Sequence, residues 1–172
     1  ALGTTAMDAL TSGINNIAMG KNALGASTTG CNNVAIGPLA LGAATTTCES
    51  IAIGRLALGG TATTGIDNIA IGNQSMDALT TGICNVAIGM NALGASTTGC
   101  LNIGIGATAM GGAVLTGLYN IAMGVDPMDA LTSGCDNVAL GRNALGAATT
   151  TVGSVAIGPN ALGAADTTGV NN

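Results

Sequence analysis

Five cysteines, Cys31, Cys48, Cys84, Cys100 and Cys135, have the widest chemical repertoire in this chain of 172 residues. Thiols at the right separation close a disulfide, and clustered thiolates hold a metal. No CxxC pair occurs and the chain has no histidine, so neither a metal site nor a Cys-His nucleophile is expected. Cys31, Cys48, Cys100 and Cys135 occupy a recurring position filled elsewhere by Ile14, Ile83, Leu118, Val152 and Val170, and Cys84 lies one place later. Two readings follow: a bond between Cys31 and Cys48 (or a bridge between chains), or thiols packing as small hydrophobes.

Carboxylates come next. Asp8, Asp77 and Asp129 recur at one position but several repeats apart, beyond the reach of a shared proton or calcium ion, and they are expected on a solvated face. Asn73-Gln74-Ser75 is a lone glycosylation sequon, and the runs Ser27 to Thr29, Thr45 to Thr47 and Thr149 to Thr151 are hydroxyl-bearing corners. Threonine ladders raise ice binding as an alternative function. A flat ice-binding face wants alternate threonines, whereas Thr63-Thr64 and Thr80-Thr81 are adjacent, so one of each pair is expected to point away.

The remaining composition closes other routes. The chain has one aromatic residue, Tyr119, and only Lys21, Arg55 and Arg142 against eight acids, for a net charge of −5. Neither a stacking platform nor a basic footprint for nucleic acid exists. No residue set calls for a cofactor, and catalysis is not expected. Residues 103 to 125 are uncharged and long enough to span a bilayer, but the glycines and polar residues within them follow the repeat, so no membrane span is expected. The chain begins at Ala1 without a signal-peptide pattern, as a processed or excerpted chain would.

What positions these groups is a tandem repeat. Its unit opens Asn-(Ile/Val)-Ala-(Ile/Met/Leu)-Gly and starts at Asn16, Asn33, Ser50, Asn68, Asn85, Asn102, Asn120, Asn137 and Ser154, with Asn172 in phase. Successive spacings are 17, 17, 18, 17, 17, 18, 17, 17 and 18, so the chain is ten rungs less one residue. Each extra residue falls between the middle glycine and the threonines, at Gly59 to Thr63, Gly111 to Leu115 and Gly163 to Thr167. Units containing Met-Asp-Ala-Leu, at Met7, Met76 and Met128, open blocks that close with an 18-residue unit.

Short β-branched alternation followed by an invariant glycine reads as a strand entering a tight corner. The corner glycines are Gly3, Gly20, Gly37, Gly54, Gly72, Gly89, Gly106, Gly124, Gly141 and Gly158. A second strand is expected around Ala23 to Ala26. The fold class is therefore all-β: a parallel β-solenoid, or β-roll, of about ten 17/18-residue rungs in one domain over residues 1 to 172. Asn16, Asn33, Asn68, Asn85, Asn102, Asn120 and Asn137 would stack as an amide ladder, or alternatively line a ligand groove. Two side-chain arrangements fit the period. Positions 2 and 4 of the unit face a partner chain around a thin alanine-filled roll, or they join positions 9 and 16 inside a self-sufficient core.

The string Asn-Val-Ala-Ile-Gly-x-x-Ala-Leu, at Asn33 to Leu41 and Asn85 to Leu93, resembles the YadA-like head repeats of trimeric autotransporter adhesins and related bacteriophage tail-fibre repeats. The resemblance implies a left-handed β-roll, usually three parallel chains side by side, displayed outside the cell or on a virion and binding host surfaces or extracellular matrix. Here the repeat is longer, and no neck, heptad stalk or membrane anchor accompanies it. The expected function is a structural extracellular fibre segment whose partner is another copy of itself. Copies would associate either as a parallel homotrimer or by head-to-tail stacking, because Ala1 and Asn172 are in phase.

Overall fold

In the computed structural model, which describes residues 1 to 164 and Gly169, the chain is a parallel β-solenoid without a helix. The nine strands are β1 (Ile17–Met19), β2 (Val34–Ile36), β3 (Ile51–Ile53), β4 (Ile69–Ile71), β5 (Val86–Ile88), β6 (Ile103–Ile105), β7 (Ile121–Met123), β8 (Val138–Leu140) and β9 (Val155–Ile157). They form one sheet in chain order, each pairing with its own copy in the next coil: Ile17 with Val34, Ala18 with Ala35, Met19 with Ile36, and so on. Leu2 continues the ladder beyond β1 through its amide, 2.8 Å from the Ala18 carbonyl. Residues 103 to 125, apolar enough to invite a membrane reading, are two such strands and their turns. Among the described residues no helix is long and apolar enough to cross a membrane. The in-phase residue Asn172, Val170 and residues 165 to 167 of the third insertion fall outside the described residues.

The middle residue of every described strand is buried while its neighbours are at least partly exposed. Period-two geometry allows only one face inside, and the roll is thin enough that alanine fills it. Opposite lies position 9, where Leu24, Leu41, Leu58, Met76, Leu93, Met110, Met128 and Leu145 are fully buried. At Gly104, the one strand centre without a methyl group, an added Cβ would sit 3.4 Å from the Leu93 side chain and 3.7 Å from the Ala109 methyl. Leu/Met therefore packs on Ala across the roll. Positions 2 and 4 thus look outward around a thin alanine-filled roll and do not join position 9 inside.

The expected second strand is replaced by turns over residues 21 to 26. Its backbone is not extended: Asn22 and Leu24 have φ of 56° and 52°, in the left-handed region. The rung still bonds to the next one there, with Leu24 N 3.0 Å from Ala40 O and Ala26 N 3.0 Å from Gly42 O. Left-handed residues recur at positions 7, 9 and 17 and bend the chain back on itself. At position 9 the cost of about 1 to 2 kcal/mol for a left-handed Leu is offset by about 1.5 to 3 kcal/mol from burying its side chain.

Candidate functional site

The corner glycines behave as their recurrence implies. Each described one has φ between 118° and 138°, a region closed to side chains, and all but Gly158 lie against the corner of the next rung. At Gly124, for instance, a Cβ would stand 2.8 Å from the Gly141 carbonyl carbon. This sharp corner ends the strand after three residues and sets the width of the outer face.

That face is the largest chemical feature of the molecule. Positions 2 and 4 present Ile, Val, Leu or Met at every rung, with Ile17 52%, Met123 41% and Ile157 68% exposed. Position 16, beyond a left-handed turn, is open as well: Ile14 and Ile83 are exposed and Cys100, Leu118, Cys135 and Val152 half-buried. These residues are not the inner core that the second arrangement required. Nine rungs at about 4.8 Å make a face about 43 Å long and, from position 1 to position 5, about 13 Å wide, on the order of 560 Å². That is at the upper end of the apolar patches carried by monomeric proteins.

Behind the face runs the asparagine ladder. Asn33, Asn68, Asn85, Asn102, Asn120 and Asn137 are fully buried, and Asn16 is half-buried. Each amide uses its groups along the axis. Asn85 Nδ2 donates to Asn68 Oδ1 at 3.1 Å and to Gly99 O at 2.8 Å, while Asn85 Oδ1 accepts from Asn102 N at 3.0 Å. A ligand groove would need these amides open; they are closed off and satisfied from rung to rung.

Ser50 and Ser154 interrupt the ladder without leaving a gap. In those rungs Thr47 and Thr151 replace the glycine found three residues before Asn elsewhere. The threonine hydroxyl takes over the donor role of Nδ2: Thr47 Oγ1 donates to Gly65 O, and Thr151 Oγ1 to Gly169 O at 3.1 Å. Ser50 Oγ accepts from Asn68 N at 3.2 Å, as Oδ1 does in other rungs. This Gly/Asn to Thr/Ser exchange was missed in reading the sequence, although its signal, two substitutions three residues apart and occurring twice together, was present.

Of the two readings of the cysteines, the structure takes the disulfide for one pair. Cys31 and Cys48 are bonded, with Cα atoms 4.7 Å apart, and the bridge ties the coils carrying β1 and β2. Cys84, Cys100 and Cys135 are free and half-buried. Cys135 pairs with Val152 through the same isolated parallel bridge that joins Cys31 to Cys48. Val152→Cys is therefore expected to close a second disulfide. Mass spectrometry would show four fewer free thiols than the substituted sequence has cysteines, against two fewer in the wild type, and denaturation would show a gain of about 3 kcal/mol over the oxidised wild type, the value for a loop of this length.

The recurrent carboxylates correct the solvated-face expectation. Asp8 is exposed, but Asp77 and Asp129 are half-buried, and each sits beneath the extra residue of the preceding 18-residue rung. A Cβ on Gly60 would lie 2.6 Å from the Asp77 carbonyl oxygen, and one on Gly112 2.6 Å from Asp129 Cγ. Burial raises both carboxyls above the usual range. For Asp129 the nearby Asp126 adds to the rise, and the Gly112 backbone N–H opposes it by hydrogen bonding. Both aspartates thus lie beside the extra residue of the long rung before them, Asp77 through its backbone and Asp129 through its carboxylate.

The threonine pairs divide. Thr63 is buried and Thr64 exposed, as adjacency implied, but both members of Thr28-Thr29 are exposed and Thr80-Thr81 is half-buried and exposed. These pairs sit on a bend, where alternation does not hold. The first member of each pair bonds along the axis: Thr28 Oγ1 to Thr45 O at 3.3 Å, and Thr80 Oγ1 to Thr97 O at 3.0 Å.

Among the described residues no set of three or more His, Cys, Asp or Glu side chains is placed to hold a metal ion. Comparison with protein families, curated proteins and solved structures finds no match to this chain.

Proposed function

We propose that this chain is a structural segment of an extracellular fibre, of the surface-adhesin or tail-fibre kind, in which copies associate side by side through the outer sheet face. The observation that carries this reading is the uninterrupted apolar face. Two such faces brought together would bury on the order of 1,100 Å², enough for specific association, and the apolar surface is already ordered in a flat ladder, so little entropy is lost on contact. A disulfide between adjacent coils supports an oxidising compartment outside the cytosol.

The test is association state by sedimentation. The chain is expected to self-associate at micromolar concentration. Ile88→Lys together with Met123→Lys, both exposed on the face, are expected to shift it to monomer while leaving the melting temperature within a few degrees. A wild-type monomer at all concentrations would overturn the reading.

Ice binding is a second reading, favoured by the outward placement of both Thr28 and Thr29, and opposed by the hydroxyls of the first column being spent on the backbone. Absence of thermal hysteresis dismisses it.

A further inference from the structure

Two columns of side chains border the outer face. One, at position 17, lies two residues before each strand; the other, at position 6, lies two residues after it. Glu49 and Arg55 flank β3 in this way, and Asp136 and Arg142 flank β8; all four are exposed. Neither acid reaches its own arginine, since six residues of chain, up to roughly 20 Å, separate them along the flat face. Among the described residues no ion pair involves any of the four.

The two borders nevertheless match in character, rung by rung. The acids Glu49 and Asp136 share their rungs with arginines. The rungs of β6 and β7 carry Leu101 with Ala107, and Tyr119 with Val125, apolar at both borders. Asp67 shares its rung with Asn73 and Lys21 with Asn15, so no described rung carries like charges at its two borders. Residues that do not touch within the chain have no intrachain reason to match.

We infer that a second copy of this chain docks on the face parallel and in register, with Arg55 of one copy against Glu49 of the other and Arg142 against Asp136. The proposal rests on the side-by-side association above and adds its direction and register.

The geometry follows from symmetry. Rotation about an axis parallel to the long axis of the stack, twofold or higher, brings the position-6 border of one copy to the position-17 border of its neighbour at the same height. Opposite charges then meet at two levels about five rungs apart, and apolar borders meet between them. Antiparallel face-to-face packing instead opposes like borders. With β3 opposite β8 it sets Glu49 against Asp136 and Arg55 against Arg142; other antiparallel registers set these charges against neutral residues at best. A parallel slip of one rung moves Arg142 from Asp136 to Tyr119 or Gly153. The charges thus reject wrong partners more than they strengthen the right one.

The test uses three proteins and sedimentation at low and high salt. Arg55→Glu with Arg142→Glu makes both borders acidic at β3 and β8, and is expected to raise the dissociation constant of self-association about tenfold or more at low salt, with the difference shrinking as salt screens it. The fourfold exchange, adding Glu49→Arg and Asp136→Arg, is expected to restore self-association to the wild-type level. Mixed with wild type it sorts into separate assemblies, because each mixed contact sets like charges together. Circular dichroism checks that the roll is intact, as it should be for four exposed side chains. A wild-type assembly whose affinity is unchanged by the acidic pair, or a fourfold variant that stays weak or mixes freely with wild type, overturns the proposal while leaving side-by-side association standing. A wild-type monomer overturns both.

Discussion

Gly106→Ala is expected to prevent the solenoid from forming a continuous stack, with a stability loss on the order of 4 kcal/mol or more. Two costs add. At φ 126° an L side chain is strained by about 1 to 3 kcal/mol. The new methyl also overlaps the Gly124 carbonyl oxygen in the next corner, where backbone rather than a movable side chain must yield. Gly158→Ala separates these terms. Its φ is 118°, but a Cβ there meets nothing within 4 Å, so it carries the conformational cost alone. Chemical denaturation of the two variants should therefore differ by about 2 kcal/mol or more, with Gly106→Ala the worse. Equal losses would mean that the stacking contact contributes nothing.

The second large effect is a coupling. Asn102→Ser removes the donor to the buried Gly117 carbonyl, at 2.9 Å, and the weaker bond to Asn85 Oδ1; an orphaned buried acceptor costs about 1 to 3 kcal/mol. Gly99→Thr alone is also unfavourable, because its Cβ would stand 3.0 Å from both Asn102 Nδ2 and Ser96 Oγ. Combined in a Ser96→Ala background, which supplies the alanine that Ala44 and Ala148 provide three residues before Thr47 and Thr151, they recreate the pairing of Thr47 with Ser50: the smaller serine and the alanine make room, and the threonine hydroxyl donates to the carbonyl that asparagine had served. In that background the double variant is expected within about 1 kcal/mol of its parent while each single loses about 2, an interaction energy of about 3 kcal/mol in a thermodynamic cycle. Simple additivity would sink this account of the exchange.

The solenoid, its rung boundaries, the corner glycines and the asparagine column were legible because stacking forces the same residue into the same environment every 17 or 18 positions. The path within a rung was not. Leu24 and Met76 are left-handed, a conformation that leucine and methionine disfavour, so no local preference announces the turns that replace a second strand. Nor does period two say which face of Ile17-Ala18-Met19 turns inward; that is decided by the width of the coil, which admits a methyl group and excludes an isoleucine. The aspartates were misread because Asp129 finds its partner, Gly112, one rung back, while sequence distance suggested isolation. The Thr/Ser exchange and the matched borders are pairs of substitutions, visible only when two columns are compared with each other.

One consequence of the axial bonding concerns how the fold is reached. Almost every ladder hydrogen bond joins residues 16 to 18 apart, as Ile17 N does to Asn33 O, so the mean separation of contacts is about a tenth of the chain length. Sheets usually form slowly because their strands must find distant partners. Here each strand needs only the next coil, a loop short enough to close in well under a microsecond. Formation should start wherever two coils first meet and then extend outward one coil at a time, as a zipper does. The Cys31–Cys48 bond, by holding two coils together in the unfolded chain, marks where such a zipper would start.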